Sequence, residues 1–150
     1  MIGIKKIDTE SVEMCADLYQ NAYKNEPWNE EYSVDEITDY LFRFVDSETK
    51  RAYMLVLNDE IIGIALGLIV PCIDSDYFRL EDICLSPKYQ RKGFGGQFIK
   101  LISDCVLSEN CDSILLGTQR GYPAHQFYLK NGFQEIDSVL LYREIKNKYK

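Results

Sequence analysis

One stretch, Phe78 to Val106, constrains the fold more than any other part of this chain. It opens on a short apolar run, Phe-Arg-Leu-Glu-Asp-Ile-Cys-Leu, closed by Ser86-Pro87. It continues through Gln90-Arg91-Lys92-Gly93-Phe94-Gly95-Gly96 and ends with Phe98, Ile102, Cys105 and Val106 at helical spacing. The order is therefore strand, glycine-rich loop, helix. The first turn of such a helix leaves backbone N–H groups unpaired at the positive end of the dipole, and glycines at 93, 95 and 96 let a pyrophosphate approach that backbone closely. Residue identity excludes two well-known phosphate loops: no Gly-Lys-Ser/Thr ends the loop, and no Gly-x-Gly-x-x-Gly directly follows the strand.

The run Gln90-Arg91-Lys92-Gly93-Phe94-Gly95 resembles the acyl-CoA loop of the GNAT superfamily of N-acetyltransferases, Gln/Arg-x-x-Gly-x-Gly/Ala. A second stretch, Ala124-His125-Gln126-Phe127-Tyr128-Leu129-Lys130-Asn131-Gly132-Phe133, is similar to the other GNAT signature, a short helix ending in Tyr-x-x-x-Gly-Phe. Gly132 suits a left-handed position just past that helix. The resemblance implies an α/β (α+β) GNAT fold. Its central sheet is mixed and mostly antiparallel, of about seven strands with four helices, and is splayed between the fourth and fifth strands.

The rest of the chain is compatible with that order. Ile2 to Ile7 predicts a strand, and Thr9 to about Lys24 a helix with Val12, Cys15, Tyr19 and Ala22 on one face. Pro27 breaks it. Ser33-Val34-Asp35-Glu36 has the spacing of a capping box, followed by an apolar stripe of Val34, Ile37, Leu41, Phe44 and Val45. Arg51 to Leu57 and Ile61 to Val70 predict a hairpin through Asn58-Asp59-Glu60, and Pro71 to Asp76 a loop. Beyond the helix of the opening stretch, Gly95 to about Leu107, a strand is expected at Ser113–Gly117 and a helix at Pro123–Asn131. Phe133 to Ile145 reads as two last strands turning near Asp137.

With 150 residues the chain is of ordinary size for one domain, and a single acetyltransferase domain over 1–150 is expected. No apolar run is long enough to span a bilayer and the start lacks a signal-peptide core, so a cytoplasmic protein with no membrane partner is expected. The five cysteines show no paired metal-ligand spacing and only one histidine is present, so no metal is expected. Charge is uneven, with a net of −8 through Glu60 and +1 thereafter. An acidic surface disfavours nucleic acid. It suits a cationic acceptor opposite an anionic cofactor, and equally suits helices that are acidic for solubility.

The resemblance implies acetyl-CoA as co-substrate. It places the pyrophosphate on Gln90, Arg91, Lys92, Gly93, Phe94, Gly95 and Gly96, the pantetheine arm along the backbone of Ile83, Cys84 and Leu85, and a further cofactor contact at Asn131. Tyr128 stands at the family position of the general acid, and a phenol with a pKa of about 10 stays protonated at neutral pH. Deprotonating an alkyl ammonium at neutral pH costs about 4.6 kcal/mol, and Glu81 is the first candidate base, with Asp82, His125 or water as alternatives. The segment between the first two helices offers Glu26, Trp28 and Glu30 as an acceptor wall, joined by Asp74 from the loop before the central strand.

The expected reaction is acetyl transfer by direct attack of a primary amine on a small cationic molecule. The nearest family members by this reading are aminoglycoside-type or uncharacterised small-molecule enzymes. Acetylation of a peptide N-terminus or lysine, and a non-catalytic CoA-binding or sensing role, are the alternatives. A homodimer is compatible with the sequence, through pairing of the last strands.

Overall fold

The computed structural model describes residues 1–146. Two compact units make up the chain, Met1–Gly117 and the part from Thr118 onward. The first contains a five-stranded sheet in the order β1 (Ile2–Lys6), β2 (Lys50–Leu57), β3 (Glu60–Val70), β4 (Asp76–Leu85), β5 (Cys111–Leu115). Helices α1 (Val12–Tyr23) and α2 (Val34–Phe42) fall between β1 and β2, and α3 (Phe94–Leu107) between β4 and β5. All strand pairs are antiparallel except β4 with β5.

The local signals act as expected. Ser33 Oγ accepts from the Glu36 amide at 3.1 Å while Glu36 Oε1 accepts from the Ser33 amide at 3.0 Å, a complete capping box that starts α2. Asn58 and Asp59 carry the positive φ angles of a tight hairpin between β2 and β3. Val12, Cys15, Ala16, Tyr19 and Ala22 of α1 and Ile37 and Leu41 of α2 are buried with Ala52, Met54, Ile64 and Leu66 of the sheet. On the other face Phe98 of α3 approaches so near that a Cβ on Gly63 would lie 3.2 Å from its ring. Phe98 is fully buried, and truncating a buried phenylalanine to alanine costs about 3–5 kcal/mol.

Two irregularities of β4 shape everything that follows. Its pairing with β5 reaches only from Asp76↔Cys111 to Arg79↔Leu115, so Leu80–Leu85 run on without β5 beside them. The pairing stops there because β5 itself ends at Leu115. Towards β3 the register jumps from Leu66↔Asp82 to Gly67↔Leu80, which leaves Glu81 as an extra, bulged residue. Phe78, on the face of Tyr53, and Leu80, two residues on, would carry Asp82 to that same face in a regular strand. The bulge reverses the parity, and Cys84 packs against the α1–α2 core instead. Gly67 makes the kink feasible, because a Cβ there would lie 2.3 Å from the Phe78 ring and 2.5 Å from the Arg79 carbonyl oxygen.

In the second unit, α4 (Pro123–Lys130) ends in a Schellman arrangement: Gly132 has φ +90° and the Phe133 amide donates to the Tyr128 carbonyl at 3.1 Å. The two strands expected over Phe133–Ile145 do not form, and the described sheet has five strands rather than about seven. The turn near Asp137 is present, as a bond from the Ser138 amide to the Ile136 carbonyl at 3.0 Å. What is missing is a neighbour. Among the described residues the backbone of Val139–Arg143 joins no ladder, and a strand without a ladder partner is only extended chain. No helix among the described residues is long and apolar enough to cross a membrane.

Candidate active site

A single 3₁₀ turn, Pro87–Tyr89, follows β4, and the chain then enters the glycine-rich loop. Arg91 has φ +62° and Gly93 φ +86°, two left-handed residues separated by one, directly before α3. Such a conformation turns successive amides toward one point and forms an anion-binding concavity. The amides of Phe94, Gly95 and Gly96 belong to the first turn of α3, where no intrahelical acceptor exists; Gln97 is the first to bond back, to the Gly93 carbonyl at 3.4 Å. Nothing lies within 4 Å of where a Gly93 Cβ would stand, so the concavity is open. These features fit a diphosphate anion, and the exposed side chains of Arg91 and Lys92 add positive charge.

The loop is tied down by its flanks. Gln90 Nε2 donates to the Leu85 carbonyl at 3.1 Å, Tyr89 Oη donates to Glu60 at 2.7 Å, and Lys88 Nζ lies 3.0 Å from the same carboxylate. Gln90 thus acts on the loop's shape through its side chain. The phenol of Tyr89 and the ring of Phe94, 5.8 Å apart and nearly perpendicular, bracket the glycine.

Beyond the end of β5, Ile83, Cys84 and Leu85 pair with β3 on one side only. The Ile83 carbonyl lies 3.1 Å from Tyr23 Oη. The Cys84 thiol is pushed well up, chiefly by burial and then by the charge of Asp82, so it stays protonated and is a poor nucleophile.

Around Asp82 the structure assembles a cluster that the sequence did not announce. Tyr19 and Tyr23, one turn apart on α1, each donate to its carboxylate at 2.7 Å, and Tyr40 of α2 donates at 3.2 Å. Burial, before all else, raises the three phenols well above their ordinary range; the Asp82 charge adds to this, so they remain donors. A carboxylate has about four lone-pair sites, of which three are taken here and one is left for a ligand.

The segment between the helices folds over this cluster. Its return is fixed by the Glu30 amide donating to the Tyr23 carbonyl at 2.9 Å and by Gln20 Nε2 donating to the Tyr32 carbonyl at 3.0 Å. Tyr19, Gln20, Tyr23, Glu30, Tyr32 and Ile37 line a narrow cleft there. Desolvation, and secondarily the Asp82 charge, raises the pKa of half-buried Glu30, as expected of two carboxylates sharing one site. Trp28 stacks edge-on to Tyr23 with centroids 5.1 Å apart and keeps 48% of its surface exposed.

The other residues singled out from the sequence are less concentrated. Glu81 pairs with Arg79 at 2.9 Å and is exposed. Glu26 is exposed on the same segment as Trp28. Asp74 precedes β4 at its opposite end, beside Ser75, whose hydroxyl bonds Asp112 at 2.5 Å. Six residues of strand, about 20 Å, separate that end from Asp82, so Asp74 is not gathered with Glu30. In the second unit, Tyr128 stacks edge-on to Phe133 at 5.3 Å. Asn131 Nδ2 caps the Phe127 carbonyl at 2.8 Å, and the His125 ring meets Glu135 at 3.2 Å.

Tyr19, Tyr23 and Tyr40 are the functional candidates that sequence reading missed. Their only signal was the spacing of 19 and 23 on one helix face, which reads as core.

The family model "Acetyltransferase (GNAT) family" matches residues 12–133. No curated protein matches the sequence. Among solved structures, a possible acetyltransferase from Clostridium difficile 630 superposes with a TM-score of 0.84 at 16% identity, covering 98% of this chain and 99% of the other. An integron cassette protein from V. cholerae gives 0.81 at 20% identity, with 97% and 93% covered. AAC(6')-Iy, in complex with a bisubstrate analog, CoA-S-monomethyl-acetylneamine, gives 0.77 at 17%, with 97% and 99% covered. At such identities the likeness is one of fold. The family match spans both signatures, the glycine-rich loop and the Tyr-x-x-x-Gly-Phe helix end, and this chain belongs to the GNAT family of acetyltransferases.

Proposed function

We propose that the chain works as one domain that transfers the acetyl group of acetyl-CoA to a primary amine of a small cationic molecule, by direct attack. One observation carries this reading: two carboxylates, Asp82 and Glu30, are gathered with three phenols and an exposed indole where α1, α2 and β4 meet. An ammonium group supplies what that cluster lacks, a positive donor for the lone pair left on Asp82, and aromatic faces attract cations. Solved structures of aminoglycoside acetyltransferases with the same fold support the acceptor class.

When bound, acetyl-CoA supplies an acyl thioester and a thiolate leaving group. The amides at the start of α3, with Arg91 and Lys92, hold its pyrophosphate, and the unpaired edge of Ile83–Leu85 lies along its pantetheine arm. Asp82 and Glu30 orient the acceptor ammonium, with Trp28 as a wall and Glu26 at the rim. Glu81, held by Arg79 at 2.9 Å, takes the amine proton through water, its exposure giving the proton a way out. Tyr128 gives a proton to the departing thiolate. Tyr128→Phe should lower kcat about 10- to 100-fold, as expected for loss of general acid catalysis, with the acetyl-CoA dissociation constant unchanged in calorimetry. Equal turnover would leave water as the acid.

Release of free thiol from acetyl-CoA is the direct test, across a panel of polyamines, aminoglycosides and peptides with free N-termini. Turnover with the small polycations and none with peptides is the expected result. Turnover with peptides alone would overturn the acceptor class in favour of a protein acetyltransferase. Tight acetyl-CoA binding with no release would favour a sensing role.

A further inference from the structure

Glu60 opens β3 directly after the hairpin turn in which Asn58 and Asp59 hold positive φ. β3 and β4 lie side by side at this end, with Gly63 opposite Leu85 and the Ser86 amide donating to the Ile62 carbonyl at 2.8 Å. The 3₁₀ turn that leaves β4 therefore passes the hairpin, and two of its side chains reach one carboxylate. Tyr89 Oη donates to Oε1 of Glu60 at 2.7 Å, and Lys88 Nζ lies 3.0 Å from Oε2. Lys88 Nζ also sits over the Tyr89 ring, 5.2 Å from its centroid. The bond from Tyr89, followed by that from Lys88, keeps the Glu60 carboxyl below the usual carboxylate range, so it is charged at neutral pH.

By charge alone this carboxylate is in the wrong place. It stands one side chain away from a loop suited to an anion, where it repels a diphosphate, and it occupies a lysine that would attract one. Shape accounts for it. Arg91, two residues after Tyr89, has φ +62°, a conformation disfavoured for any residue with a Cβ and kept only where the surroundings over-determine it. Two pins precede Arg91. One is Gln90, bound to the Leu85 carbonyl at 3.1 Å; the other is Tyr89, whose hydroxyl ends on Glu60 and whose ring meets Phe94 at 5.8 Å. Phe94 in turn is the first residue of α3 and carries one of its free amides. A line of contacts thus runs from the β2–β3 hairpin through Tyr89 to the amides that face the anion.

We infer that Glu60 is a positioning residue for this loop: through Tyr89 it holds the left-handed turn at Arg91 and Gly93 in the form that binds the diphosphate of acetyl-CoA, against the effect of its own charge. The inference rests on the reading of the loop as the pyrophosphate site. The ion pair with Lys88, whose side chain is 65% exposed, is the weaker half of the clamp.

Calorimetric titration of the full-length protein with acetyl-CoA separates the two effects by sign. Glu60→Ala removes the acceptor of the Tyr89 bond and should raise the acetyl-CoA dissociation constant about tenfold. Tyr89→Phe, which keeps the ring against Phe94, should do much the same, and the double variant should be no weaker than Glu60→Ala alone, because both remove one link. Glu60→Gln keeps an oxygen for the Tyr89 hydroxyl and should recover most of the affinity, which general damage to the hairpin would not allow. The kcat at saturating acetyl-CoA should hold in all of them. Tighter binding by Glu60→Ala and Glu60→Gln overturns the inference in favour of charge alone, and unchanged binding by Glu60→Ala overturns it outright. Gly93→Val is the control for the underlying reading. If it weakens acetyl-CoA binding while Glu60→Ala does not, only the role of Glu60 falls; if wild type fails to bind, or Gly93→Val binds as wild type does, the pyrophosphate site falls and this role with it. Should Glu60→Ala not fold, Tyr89→Phe and Glu60→Gln decide by the same signs.

Discussion

The loop ahead of α3 and the cluster around Asp82 sit at the far end of the same strand, yet they are built to attract charge by opposite means. The loop gathers main-chain amides, using left-handed backbone at Arg91 and Gly93 and the open first turn of a helix. The cluster gathers side chains from three places, Tyr19 and Tyr23, Tyr40 and Asp82, through hydrogen bonds of 2.7 to 3.2 Å, with Glu30 beside Tyr19 and Tyr23. A main-chain site is specified by where glycine is allowed, and tolerates exchange of most neighbouring side chains. A side-chain site depends on each group and on the backbone irregularity that aims it. The first suits a ligand that every member of an enzyme class shares, and the second suits the ligand by which members differ.

The comparison can be broken by substitutions that should damage one side and spare the other. Gly67→Ala should have the largest effect. Its Cβ would meet the Arg79 carbonyl oxygen at 2.5 Å, and overpacking against backbone costs about 3 kcal/mol or more. Urea denaturation should show that loss, and the acceptor KM should rise more than the acetyl-CoA dissociation constant, because the bulge that turns Asp82 inward is disturbed. Equal damage to both would mean that β4 responds as one rigid piece.

Asp82→Asn keeps the size of the side chain and removes the charge. Loss of a charge-assisted bond of about 1.5–3 kcal/mol should raise the KM for a cationic acceptor roughly 10- to 100-fold, with acetyl-CoA affinity unchanged in calorimetry. Gly93→Val is the counterpart on the loop. A β-branched residue at φ +86° bears a left-handed penalty of about 1–2 kcal/mol, so acetyl-CoA should bind about tenfold more weakly while the acceptor KM holds. An acceptor KM that moved with it would unite the two sites.

The smallest effect is one of pH. Burial and the neighbouring Asp82 raise the pKa of Glu30, so its carboxylate is protonated at pH values where an ordinary glutamate is charged. A bound ammonium favours the charged form, so acceptor binding should release a proton. The acceptor KM should therefore fall as pH rises through the raised Glu30 range and level off above it. In the unliganded protein the sign is reversed, stability being greatest with Glu30 protonated and declining as pH rises through the same range. Glu30→Gln should flatten the KM profile; an unaltered slope would assign it to another group.

How far each region could be read from the sequence follows from the same contrast. Glycine spacing, the strand before it and the helical period after it are local, and so the loop, the capping box of α2 and the left-handed Gly132 were all legible. The tyrosine cluster was not. Tyr19 and Tyr23 share a helix face with Val12 and Cys15, and helical period reports only that a face is covered, not whether its hydroxyls meet a carboxylate from a strand sixty residues away. Strand alternation puts the adjacent residues Glu81 and Asp82 on opposite faces without saying which is inward, because a bulge has no signature beyond its glycine. The two last strands failed for a further reason: their residues have strand character, but a ladder needs a partner, and composition does not name one.

The kink at Glu81 also carries a lesson about how such a site can change over evolutionary time. Two adjacent carboxylates stand on β4, one bound by three phenols and the other paired with a guanidinium, and a single extra residue in the register decides which is which. Sliding that irregularity by one position would exchange their roles with no change in amino-acid content. On the proposed role of Asp82, acceptor preference is written partly in strand register, where an insertion or deletion elsewhere along β4 can rewrite it at a stroke and a comparison of residue types would miss it.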